Sequence, residues 1–120
     1  MSGRQSFMAD LKDLGFEVEE RGNLAIVSFD LGPGGRPGPH LLATDPPSDF
    51  PNVPPHWLHL RKGIRLPGDS RKPSDLGQAS ELGADWWRWS RAHPSWKGGP
   101  TAARQWAAHV RSLLLLAKAS

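Results

Sequence analysis

In the last third of the chain the sequence reads Trp86-Trp87-Arg88-Trp89-Ser90-Arg91-Ala92-His93, with a hydroxyl and an imidazole three positions apart among guanidinium groups. A serine hydroxyl is a weak nucleophile until a base takes its proton or donors hold the oxyanion formed by its attack. On a helix, Ser90 and His93 would share a face. Arg88 or Arg91 would then be placed to hold developing negative charge. The same spacing also fits a serine that only caps a turn or faces solvent within a tryptophan-rich packing segment. The 120 residues include no cysteine, which excludes disulfides, thiolate metal sites and a thioester on any of the chain's own side chains.

Three other groupings invite a chemical reading. His56 and His59 stand three apart in a stretch that reads as a strand, where such positions point to opposite faces, so they are not expected to share a metal ion. The glycine-rich run Gly32–Pro39 lacks the Lys-Ser/Thr ending of a phosphate-binding loop and has no helix after it, so it reads as a hairpin loop. No cofactor is implied. The run from Trp86 to Arg91 interleaves rings with arginines as single-strand nucleic-acid platforms do. Yet 15 Lys+Arg against 12 Asp+Glu, a net charge of +3, are spread along the chain, and nucleic acid is not the expected partner. Trp86, Trp87 and Trp89 are too close in sequence for all to be buried on one face, so one or more should form an exposed apolar patch for a partner. Trp57, Trp96 and Trp106 read as core.

The elements that must position these groups follow from periodicity. Hydrophobic content of 38% with six tryptophans argues for a packed domain, and 13 Gly and 12 Pro fall mostly between the periodic segments. The length suits one domain spanning residues 1–120. Ser6 as N-cap, Phe7, Leu11 and Leu14 at helical spacing, and Gly15 as terminator predict a helix over residues 7–14. Alternation at Phe16 and Val18, the β-rich run 24–31 and the run 40–44 predict three strands. Pro51, Pro54 and Pro55 cannot donate to a ladder, so this segment leaves the sheet as a rigid crossing and re-enters at residues 56–60. Residues 61–85 read as a long loop, and Thr101 as the N-cap of a final helix whose apolar stripe is Trp106, Val110, Leu113, Leu114 and Ala117. The fold class is α+β: an N-terminal helix, an antiparallel meander of three to four strands, a long loop and a C-terminal helix. The longest apolar run, Leu113–Ala117, is too short to span a bilayer, and the first residues lack the apolar core of a signal peptide, so a cytoplasmic protein with no membrane partner is expected.

Two motifs in this order carry a resemblance. The first is Phe50-Pro51-Asn52-Val53-Pro54-Pro55 leading into a strand; the second is Trp96, a Pro-containing turn, and Thr101 opening the last helix. With the helix–meander–loop–helix order, the chain resembles the ubiquitin-conjugating enzymes, over most of its length. The tryptophan cluster and short C-terminus look like a bacterial branch, typically encoded beside an activating enzyme, a ubiquitin-like modifier and a metal-dependent deconjugating peptidase. The resemblance implies a ubiquitin-conjugating-enzyme-like fold whose final helix is the crossover helix. It implies transfer of a modifier's C-terminus from an activating enzyme to a target amine. The family's catalytic cysteine, expected several residues before Trp96, and its His-Pro-Asn tripeptide are both absent. Ser90 is the hydroxyl nearest the expected place; Ser80 and Ser70 lie further from Trp96. The resemblance therefore implies Ser90 as an oxyester carrier, His93 as base or orienting group and Arg91 as a charge stabiliser. Arg4 and Lys12 on the first helix would dock the activating enzyme. Two other readings stay open: a cysteine-free adaptor that binds the modifier or its activating enzyme, and a chain in which a native cysteine has been replaced.

Overall fold

The computed structural model describes residues 3–32, 35, 38–61, 64–66, 80, 82–83, 85–91, 93 and 96–119. Helix α1 spans Gly3–Asp13 and turns Phe7 and Leu11 fully inward. It starts before Ser6, which lies inside it, because Gly3 is the point where the helix meets the chain leaving the sheet. A Cβ there would stand 2.0 Å from the Pro47 carbonyl oxygen and 2.9 Å from that of Ser48. Its end follows the glycine rule. Gly15, at φ 97°, donates to the Lys12 carbonyl at 3.0 Å while Phe16 donates to that of Leu11 at 3.0 Å, the paired bonds of a Schellman motif.

The strands are β1 (Val18–Arg21), β2 (Leu24–Phe29), β3 (His40–Thr44), β4 (Trp57–Arg61), β5 (Ile64–Arg65), β6 (Trp86–Ser90) and β7 (Lys118–Ala119). Five of them form one antiparallel sheet in the order β1-β2-β3-β4-β6, and β5 pairs with β7 in a separate two-stranded ladder. Sequence reasoning expected three to four sheet strands and none at 86–90. The fifth escapes a period-two reading because Trp86 and Trp87 are adjacent and fall on opposite faces, which masks the alternation Trp87-Arg88-Trp89-Ser90 that follows. The part of 61–85 read as loop holds β5, and residues 62–63, 67–79, 81 and 84 lie outside the described residues, as do 33–34 and 36–37 of the glycine-rich loop.

Strand register sorts the side chains. Ala25, Val27 and Phe29, Leu42, Leu58 and Leu60, and Trp87 and Trp89 form one face, against which both helices pack. Helix α2 (Ala102–Leu116) contributes Ala103, Trp106, Ala107, Val110 and Leu114, with Ala117 buried beyond its end. Leu113 is only half-buried at the margin of this stripe. The other face of the sheet carries Leu24, Ile26 and Ala43 under Leu82. A 3₁₀ turn, Gly99–Thr101, leads into α2. Thr101 stands at the N-cap but makes no capping bond to the backbone; its Oγ1 instead accepts from Gln105 Nε2 at 3.0 Å.

The proline-rich crossing joins β3 to β4. It delivers Phe50 edge-on to Phe7, at 5.2 Å between ring centres, and close to Trp96. It also turns the Pro51 carbonyl to accept from Trp96 Nε1 at 3.0 Å. Gly98 passes beneath that carbonyl at φ 66°, where a Cβ would be 2.8 Å from the oxygen. Among the described residues no helix is long and apolar enough to cross a membrane.

Two glycines separate backbone strain from steric contact. Gly15 has open space around its missing Cβ, so Gly15→Ala should cost only the left-handed backbone term, about 1–2 kcal/mol of unfolding free energy. Gly98→Ala adds a backbone collision and should cost roughly 3 kcal/mol or more. Urea denaturation of the two variants checks this; equal losses would mean that the Gly98–Pro51 approach is not tight.

Candidate functional site

Ser90 is the last residue of β6, and register sets it opposite Trp57, the first residue of β4. The residue before Trp57 is His56, and its Nε2 makes a close hydrogen bond with Ser90 Oγ. The ladder runs one step past the strands, because the Arg91 amide donates to the His56 carbonyl at 3.1 Å. Ser90 is half-buried and His56 exposed, with the imidazole edge-on to Trp57 at 5.2 Å. An imidazole nitrogen accepting from a serine hydroxyl is the arrangement of nucleophile and general base; the ring proton then resides on Nδ1. Arg91 donates from its guanidinium to the Ser90 carbonyl at 2.8 Å and lies over Trp89 at 5.4 Å, which brings a positive charge to this strand end.

His93 is not the partner of Ser90. The chain at Ser90 is extended, so residues three apart do not share a face. His93 turns instead to α2, donating from Nε2 to the Gln105 carbonyl at 3.3 Å. Its ring packs against His109 at 4.4 Å and Trp96 at 4.9 Å between centres. Burial, reinforced by the charge of His93, pushes the His109 imidazole below its ordinary value of 6.5. Sequence reasoning missed His56 because it meets Ser90 across 34 residues, through strand register alone. Nothing in the local spacing marks it.

The second histidine has a different environment. His59 lies on the far face of β4 with 1% of its surface exposed, paired with Ala43 and Arg88 in neighbouring strands. Its Nδ1 shares a hydrogen bond with Ser80 Oγ at 2.7 Å, and Ser80 Oγ accepts from the Leu82 amide at 3.1 Å. This hydroxyl ties Ser80 and Leu82 to the sheet. Ser70 lies outside the described residues.

The expected tryptophan patch is not there. Trp86 and Trp87 are 6% exposed and Trp89 1%, the last two turned toward the helices and Trp86 toward the opposite face. Both faces of β6 are covered, so all three rings are buried without sharing a face. Buried rings cannot stack on bases, which removes the platform on which a nucleic-acid reading rested. On the far face the arginines cover aromatic rings: Arg88 sits 4.0 Å over Trp57, and Arg61 sits 4.6 Å over Trp86. Of the two residues expected to meet a partner through α1, Arg4 is tied to Glu20 at 2.9 Å and to Asn23 at 3.3 Å, which pins the helix to the β1–β2 hairpin. Lys12 is exposed on the last turn.

A cleft of about 440 Å³ opens beside His56 and Trp57. Pro46, Pro47, Val53 and Pro54 wall it, and Asp45 and Arg4 give it one carboxylate and one guanidinium. Its walls come from the rigid crossing, so the prolines that guide β4 back into the sheet also shape the space next to the Ser90–His56 pair. No protein-family model, no curated protein and no solved structure matches this chain.

The two serine–histidine pairs should respond differently to mutation. His59→Ala removes a buried ring, leaving a void and the half-buried Ser80 hydroxyl without its partner, and should lower unfolding free energy by about 2–3 kcal/mol. His56→Ala, at an exposed ring, should change it by less than about 1 kcal/mol. Chemical denaturation of both variants measures this, and comparable losses would assign His56 a structural role.

Proposed function

We propose that this chain is a ubiquitin-conjugating-enzyme-like protein that carries a ubiquitin-like modifier on Ser90 as an oxyester and passes it to an amine. The observation that carries the reading is the Ser90 Oγ–His56 Nε2 hydrogen bond at a register-fixed strand end beside a cleft. The helix, antiparallel sheet and closing helix, with the Phe50–Pro55 crossing ahead of β4, support it at the level of architecture.

The chemistry runs in two acyl transfers. Ser90 Oγ attacks the carbonyl of the modifier's C-terminal residue, held as a thioester by the activating enzyme, while His56 Nε2 takes the hydroxyl proton. The tetrahedral intermediate collapses, the thiolate leaves and takes that proton from His56, and an oxyester remains. A target amine then attacks the same carbonyl; His56 takes a proton from the amine and returns it to the departing Ser90 oxygen. An oxyester is less reactive toward amines than a thioester, so this second step asks more of the site than it would of a cysteine. Arg91, already bonded to the Ser90 carbonyl, supplies positive charge at this end of β6.

The absence of cysteine favours one alternative, an adaptor that binds the modifier or its activating enzyme without carrying it. A charging reaction separates the two. The chain is incubated with ATP and with a cognate activating enzyme and modifier, and the products are read by intact mass. The carrier gives an adduct that hydroxide cleaves and thiols do not. Ser90→Ala abolishes it, and His56→Gln slows its formation by about 10²–10⁴-fold, the usual contribution of a general base. Binding without any adduct establishes the adaptor and ends the Ser90 mechanism.

A further inference from the structure

The connection that follows Ser90 is fastened to α2 by a small set of polar bonds, and two imidazoles sit at its centre. Gln105 is the hub on the helix. Its side-chain amide donates to the Gly98 carbonyl at 3.0 Å, its side-chain oxygen accepts from the Lys97 amide at 3.1 Å, and its backbone carbonyl accepts from His93 at 3.3 Å. One turn further on, His109 lies against the His93 ring at 4.4 Å. His93 Nδ1 and His109 Nε2 are both sealed from solvent, and neither has a hydrogen-bond partner.

This arrangement tolerates a neutral His109 ring and opposes a charged one. Protonating His109 fixes an N–H at Nε2, which is sealed from solvent and has no acceptor, and sets the charge against the His93 ring at 4.4 Å. The charged and titratable neighbours offer no relief. His93 is the imidazole that faces His109 from the connection, and the one-turn neighbours of His109 on α2 are Gln105, Trp106, Ser112 and Leu113, none of which titrates near neutral pH. Arg91 and Lys97 flank the connection and are both cationic. Among the described residues no carboxylate pairs with either ring, and the ion pairs join Arg4 to Glu20 and Arg21 to Glu19.

We propose that the His93–His109 pair is a proton-sensitive latch that holds the connection after β6 against α2, keeping Ser90 aligned with His56 when neutral and releasing it when protonated. His93 and His109 are thus positioning residues for Ser90, and this consequence rests on the carrier reading above; the latch itself does not. The link to Ser90 is short, because the Arg91 amide closes the last rung of the ladder onto the His56 carbonyl and His93 fastens the chain two residues later. The sign follows from linkage. His109 in the closed latch binds its proton less tightly than an ordinary imidazole of 6.5, so the open form takes up more protons. The latch is therefore most stable above that value and loses stability as pH falls through it.

Hydrogen exchange read by NMR tests this on the Arg91 and Lys97 amides, with rates corrected for the intrinsic pH dependence of exchange. Between pH 7.5 and 5.5 both amides should lose more than threefold of their protection, approaching the roughly tenfold ceiling that one imidazole can supply over this range, while those of β2 keep theirs. In His109→Gln, which cannot take a proton, the loss should shrink to less than threefold. Unchanged protection in the parent chain overturns the latch, as does the same loss in the variant or a loss shared equally by β2. The charging reaction across the same pH range reads the consequence for Ser90. If the latch opens but no adduct forms at any pH, the carrier reading fails and the latch stands.

Discussion

Five residue pairs, from Trp57–Ser90 to Arg61–Trp86, register β6 against β4. A slip of one residue would turn Trp87 and Trp89 out of the core and drive Arg88 into it. The arrangement resists such a slip on both faces. Toward the helices the two rings lie among Leu58, Leu60 and α2, and toward the other side Arg88 caps Trp57 while Arg61 caps Trp86. The same register brings Ser90 to the level where His56 leaves the crossing. The Ser90–His56 pair is therefore a by-product of sheet pairing, with neither residue held by a local motif.

The proline-rich crossing supplies the second half of that geometry. Its fixed φ angles limit the ways Phe50 can enter the core, and Phe50 meets α1 through Phe7 and the post-β6 connection through Trp96. Gly3 and Gly98 let α1 and the connection approach its backbone from two directions. Small residues at these contacts and at Ala103 and Ala107 of α2 bring layers close enough for the large rings of Trp89 and Trp106 to be fully covered. Rigidity at the crossing thus sets the direction in which β4 starts, and hence where His56 stands.

Much of this was legible in the sequence, and the parts that were not share a physical cause. Helix α2 and its stripe, the Gly15 terminator and strands β1 to β4 are local patterns, where spacing and turn residues decide the outcome. Strand β6 was hidden because Trp86 adds a ring on the opposite face, next to Trp87, and so masks the alternation of Trp87-Arg88-Trp89-Ser90. Ser90 stood out as a hydroxyl, but its hydrogen-bond partner did not. His93, the neighbour in sequence, belongs to α2, whereas His56 arrives through pairing across the sheet. Thr101 looked like a cap and instead serves the Gln105 side chain. In each case the decisive contact is long-range, and a spacing rule reads only short ones.

The Trp87 and Trp89 rings lie 6.3 Å apart at an interplanar angle of 74°. Two indoles this close and this far from parallel couple their electronic transitions, and the absorption splits into a pair of bands with opposite rotational strength. The optical activity of this protein in the far ultraviolet should therefore contain an aromatic couplet superposed on the peptide signal. That couplet is a chromophore built from strand β6 itself, and it disappears when the two rings lose their fixed orientation. A helix content computed from ellipticity alone would be biased by it, while its amplitude follows the integrity of the strand that ends in Ser90.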